Sequence, residues 1–89
     1  MTSAELRSRV IQALSTVAPE ADPASLRPNV SLRDQLDIDS MDFLNFIIAL
    51  HKDLKVNIAE SDYAKLLTLD GCAAYLTAAL EKQGTKVAD

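Results

Sequence analysis

Residues 36–50 read Leu36-Asp37-Ile38-Asp39-Ser40-Met41-Asp42-Phe43-Leu44-Asn45-Phe46-Ile47-Ile48-Ala49-Leu50, an acidic run that turns into an apolar one. Asp39 is suited to be a helix N-cap, because its carboxylate can accept a backbone N–H that the first turn leaves without a partner. Asp42, three residues on, stands where a capping box places its acid. The spacing therefore predicts a helix from about Ser40 to Leu54. Leu44, Ile47, Leu50 and Leu54 recur at helical spacing as its core stripe, and Phe43 and Phe46 flank that stripe in positions that can widen it. Met41 and Ile48 project from a different side of the wheel, and two apolar residues off the core face need a reason.

Toward the N-terminus, Thr2 and Glu5 stand at capping-box spacing ahead of Leu6, Val10, Ala13, Leu14 and Val17, a single apolar stripe that Pro19 and Pro23 end. From Ala18 to Asp39 neither helical nor strand periodicity is clean. A connection this long belongs in a small domain only if it has a function or is tethered. Leu26, Val30, Leu32, Leu36 and Ile38 supply the tethers, with a turn of helix expected around Leu32 to Leu36. Toward the C-terminus, Val56-Asn57-Ile58 reads as a short extended link, followed by a helical turn or two from about Glu60 to Leu66. Thr68 caps a last helix carrying Leu69, Cys72, Ala73, Leu76 and Leu80. Gly84 marks its end, and residues 84–89 are expected to be a disordered tail beyond a single domain of residues 1–83. The expected fold is all-α, a small bundle of three long helices and one short helix with a long first crossover.

Composition agrees with that class. The chain has 89 residues, 48% hydrophobic and 25% charged, enough for one modest core. Aromatics at 4% and only two glycines argue against a small all-β fold. Cys72 is the only cysteine, so a disulfide framework is excluded. The formal net charge is -4, and the close basic pairs, Arg7 with Arg9 and Lys52 with Lys55, have no interleaved aromatics, which argues against a nucleic-acid partner. Phe43 to Leu50 falls far short of the roughly 20 apolar residues that span a bilayer, and Met1 to Glu5 lacks a signal-peptide pattern. A cytoplasmic protein without stable membrane insertion is expected. Its acid is concentrated: Asp34, Asp37, Asp39 and Asp42 follow one another with no intervening base.

Internal catalysis finds little support. His51, the sole histidine, lies eleven residues beyond Ser40, about 16 Å along a helix, too far to activate that serine. The aspartates do not fit a calcium loop either, because counting from Asp37 puts Met41 fifth, Asp42 at the glycine position and Ile48 twelfth. No metal site is expected. Cys72 sits on the apolar stripe of the last helix as a core thiol, and Tyr63 and Tyr75 read as packing residues. Gly71 and Gly84 make no phosphate loop. Ser40 directly follows an N-cap, where unpaired N–H groups and the positive end of the helix dipole favour an attached phosphate. On its own, Asp39-Ser40 is an ordinary capping pair.

The wider segment Leu36-Asp37-Ile38-Asp39-Ser40-Met41-Asp42, with the apolar helix through Ile48-Ala49-Leu50, resembles the prosthetic-group attachment site of acyl carrier proteins. The resemblance extends from Leu6 through Leu80, and Ile58 to Thr68 looks like that family's short third helix and the start of its fourth. It implies a four-helix carrier with no catalytic residues of its own. A phosphopantetheinyl transferase would join 4'-phosphopantetheine from coenzyme A to Ser40, leaving a terminal thiol that holds acyl groups as thioesters. Asp39 would position Ser40. Asp37, Met41, Asp42 and Ile48 would meet partner enzymes that load, condense or transfer acyl groups, with the carrier itself a monomer. Asp37 replaces a common glycine, Met41 a common leucine, and Asn45, His51 and Lys52 stand where acids are common. The resemblance fits fatty-acid, specialised lipid or polyketide biosynthesis. The alternatives are a peptidyl or amino-acyl carrier of a nonribosomal pathway, and an unmodified helical interaction module in which Met41 and Ile48 dock a partner.

Overall fold

Thr2 opens the first helix as its sequence predicts: its hydroxyl accepts from the Glu5 N–H at 3.0 Å, and the Glu5 carboxylate accepts from the Thr2 N–H at 3.1 Å. The computed structural model describes residues 1–89. It contains α1 (Ser3–Ser15), α2 (Leu32–Leu36), α3 (Ser40–Leu54) and α4 (Leu69–Lys82), with 3-10 helices at Pro23–Ser25 and Glu60–Leu66. There is no strand. Helix α1 packs on α3 and α4, and the second 3-10 helix packs on α4. This is a small all-α bundle, as expected.

The core combines Leu6, Val10 and Leu14 of α1 with Phe46, Ile47 and Leu50 of α3 and Cys72, Leu76 and Leu80 of α4. Phe43 and Phe46 pack together with ring centroids 5.9 Å apart and tilted by 44°. Here the core face of α3 differs from the expected stripe. Phe43 and Phe46 are buried and widen it, whereas Leu44 is only half-buried, because it borders the groove beside the 3-10 helix Glu60–Leu66. Val17 is also half-buried, two residues past the end of α1.

The long crossover is fastened at several points. Leu32 is fully buried and Ile38 is buried, while Leu26 and Leu36 pack on the core's margin. The Leu32 N–H donates to the Leu67 carbonyl at 2.7 Å, and the Asp70 N–H donates to the Pro28 carbonyl at 3.0 Å. The Gln35 side chain closes the loop on itself, accepting from the Arg27 N–H and donating to the Arg27 and Val30 carbonyls. Gly71 allows the start of α4 to come close to this junction, since a Cβ there would run into the Lys65 carbonyl.

The last residues depart from the disordered tail expected of them. Gly84 ends α4 with a φ of 87°, and the chain then returns to the N-terminus, where the Ser3 N–H donates to the Ala88 carbonyl at 2.6 Å and the Ala88 N–H to the Met1 carbonyl at 3.0 Å. Val87 packs against the core. Backbone pairing of this kind depends on two chain ends meeting, which local composition does not encode.

Replacing Phe46 by alanine is expected to cost about 3–5 kcal/mol, read as a fall in urea midpoint, because the ring is fully buried. Acid should also destabilise the protein. The Arg9 side chain holds the Asp53 carboxyl below its ordinary value of 3.8, and the Tyr75 hydroxyl, with Lys65, does the same for Asp62. Depressed carboxyl values add stability above the unfolded value, and that stability disappears as pH falls through the folded value. The urea midpoint should therefore drop below about pH 4, and the drop should be shallower in the double variant Asp53→Asn, Asp62→Asn.

Candidate functional site

Helix α2 ends at Asp37 in the left-handed region, with φ 53° and ψ 44°, and its N–H donates to the Arg33 carbonyl. A glycine is unstrained in that conformation and an aspartate tolerates it, which accounts physically for the glycine common at this point in the family the sequence resembles. Ile38 then turns inward and is buried. Asp39 is extended, its carboxylate accepts from the Asp42 N–H at 2.8 Å, and its carbonyl accepts from the Phe43 N–H at 3.0 Å. Asp39 thus sets the first turn of α3 by holding the backbone.

Ser40 is the first residue of that 15-residue helix and is exposed to solvent. Its hydroxyl stands at the positive end of the helix dipole, an environment that favours a negatively charged phosphate ester. Beside it lies an open groove of about 610 Å³ between α3 and the 3-10 helix. Ser40 and Met41 line one part of the groove, and Phe43, Leu44, Tyr63, Ala64 and Leu67 make its lining mainly apolar, with the exposed Arg33 and Glu60 adding charge. The sequence does not announce this groove. Leu44 reads as a core residue and Tyr63 as a packing residue, since neither periodicity nor composition records the gap between two elements.

Residues 8–76 match the model of the protein family described as "Phosphopantetheine attachment site". The chain belongs to that family of carriers. An acyl carrier protein of Bdellovibrio bacteriovorus is 32% identical over 63 residues, a match covering 71% of this chain and 76% of that protein. The carrier holds covalent 4'-phosphopantetheine as its prosthetic group and is not itself a catalyst. The geometry fits such a group: an exposed hydroxyl at a helix start can be esterified without displacing any core side chain, and the groove beside it is open.

Other residues singled out in the carrier's sequence are dispersed. Asp34, Asp37 and Asp39 are exposed and Asp42 is half-buried, and the ion pairs Arg7–Asp70, Arg9–Asp53 and Lys65–Asp62 all lie outside their patch. No three of the chain's His, Cys, Asp and Glu side chains converge to hold a metal ion. Met41 is 66% exposed and Ile48 40%, and both face outward from α3. His51 lies at the far end of that helix, where its Nδ1 is 2.8 Å from the Val56 carbonyl and helps close the C-terminus beside the left-handed Lys55. It does not serve Ser40.

Cys72 is fully buried, its thiol donates to the Leu66 carbonyl at 3.2 Å, and burial pushes its pKa up to about 12. A carrier's acyl-bearing thiol cannot be this one, because the reactive form is the thiolate. A disulfide-exchange reagent at pH 8 should leave Cys72 unmodified in the folded protein and react with it fully in denaturant. Reaction in the native state at the rate of a free thiol would contradict the buried placement.

Proposed function

We propose that Ser40 is the attachment serine and that the protein carries acyl groups for a fatty-acid, specialised lipid or polyketide pathway. The supporting observation is the exposed Ser40 hydroxyl at the start of α3, beside an open groove and within the segment that matches the family. The Ser40 oxygen takes the phosphopantetheinyl group from coenzyme A, its proton passes to a base supplied by the transferase, and adenosine 3',5'-bisphosphate leaves. The arm then supplies a thiol that holds acyl groups as thioesters. Asp39 positions Ser40 by closing the first turn of α3 around it, through the Asp42 and Phe43 N–H groups.

Partner enzymes meet the outer side of α3. Met41, Asn45, Ile48 and Lys52 fall at successive helical turns, and all are exposed. Asp37 and Asp42 put acid at one end of this stripe, while beyond it apolar contact carries more of the recognition than charge. That mixture suits a dedicated set of enzymes with a basic spot beside an apolar one. No helix is long and apolar enough to cross a membrane, and we place the working carrier in the cytoplasm.

Incubation with coenzyme A and a broad-range phosphopantetheinyl transferase should add the mass of one phosphopantetheinyl group, and Ser40→Ala should abolish the addition. An addition that persists in Ser40→Ala refutes the assignment. With the same transferase, Asp42→Asn should raise KM about two- to fivefold at low salt, with the difference fading at high salt. Met41→Ala should weaken docking at both salt concentrations.

A further inference from the structure

A second cavity, of about 250 Å³, lies along α3 beyond the groove at Ser40. Helix α3 contributes Ser40, Met41, Phe43 and Leu44 to the first cavity and Ile47, Ile48 and His51 to the second, so the two follow one another along the same helix. Tyr63 is the one residue that lines both. It is half-buried and packs on the core. Its neighbour Asp62 is tied to α4 by the Tyr75 hydroxyl at 2.8 Å, and Leu66, one 3-10 turn further on, is fully buried. The backbone that carries Tyr63 is therefore anchored on both sides, and its ring stands where the two cavities meet.

The two cavities are alike in chemistry. Phe43, Leu44 and Leu67 give the compartment beside Ser40 a mainly apolar wall. Past Tyr63 the wall is again mainly apolar, made by Ile47, Ile48 and Ile58, with the exposed His51 and Asn57 at its edge. An alkyl chain is stabilised in either compartment by leaving water. A chain that starts at Ser40 fills the near side first and meets the Tyr63 ring before it can reach the far side.

We propose that Tyr63 is a specificity-determining residue that limits the protected cargo to short apolar acyl groups, leaving the ends of longer chains in solvent. This inference rests on Ser40 as the attachment site.

The test uses the full chain loaded from butanoyl-, hexanoyl-, octanoyl- and dodecanoyl-coenzyme A by a broad-range transferase, each product checked by intact mass. Thermal midpoints are then compared with that of the unacylated holo form. In the wild type the midpoint should rise by at least about 4 °C over the shorter chains and level off before dodecanoyl. In Tyr63→Ala it should continue to rise through dodecanoyl, Tyr63→Phe should follow the wild type, and Tyr63→Leu should take the role of the alanine variant if that one does not fold. A wild-type midpoint that still rises at dodecanoyl overturns the proposal. So does levelling at the same length in wild type and the ring-deleted variant, or no rise with any chain. Absence of any mass gain overturns the Ser40 assignment instead, and is seen before a midpoint is measured.

Discussion

The Leu32 N–H donates to the Leu67 carbonyl at 2.7 Å, and the Leu32 side chain is fully buried. A typical hydrogen bond of this kind is worth about 1 kcal/mol net, and burial of a leucine about 1.5–3 kcal/mol. Together they fix α2 to the junction between the 3-10 helix and α4. Everything at Ser40 depends on that attachment, because α2 determines where Asp37 turns, where Ile38 enters the core and therefore where Asp39 begins α3. The same contact positions Leu67, which lines the groove. One crossover contact thus places both the serine and the wall of the cavity beside it.

Elements with a local chemical signature were legible in the sequence. Thr2 with Glu5, Asp39 before Ser40 and Thr68 before Leu69 are caps whose side chains satisfy backbone donors a few residues away, so the helix starts could be read without knowing what lies across the bundle. The short helix in the crossover followed from its apolar anchors. Leu44 was misplaced for the opposite reason. A helical wheel ranks residues by angle, yet α3 has two kinds of neighbour: α1, where Phe46 is buried, and the 3-10 helix, where Leu44 borders a groove. Which neighbour a residue meets is a tertiary fact. The same holds for Val87 and Ala88, whose placement needs the first residues of the chain.

At the site, the exposure of Ser40 and the capping by Asp39 were readable because both follow from the start of a helix. The left-handed turn at Asp37 was foreshadowed only by the glycine common there in related carriers, since an aspartate gives no signal of its own. Tyr63 had no signal at all. Its significance lies in the two spaces it separates, and a space between elements has no residues assigned to it in a sequence.

The outer face of α3 and the two cavities are linked through Met41 and Ile48. Met41 lines the groove at Ser40 and Ile48 lines the second compartment, yet these are the two large apolar side chains left most exposed. A partner seated on the proposed docking stripe covers a wall of each compartment. Its contact with Met41 and Ile48 removes apolar surface from water and so favours association, without drawing on the buried core formed by Phe46 and Leu50. Partner recognition can therefore change at these two positions with little cost to the bundle, while any change there also alters the space open to cargo. On the proposed reading, docking and cargo access are coupled because they use the same side chains, the residue next to Ser40 in the case of Met41 and about two turns further along α3 in the case of Ile48.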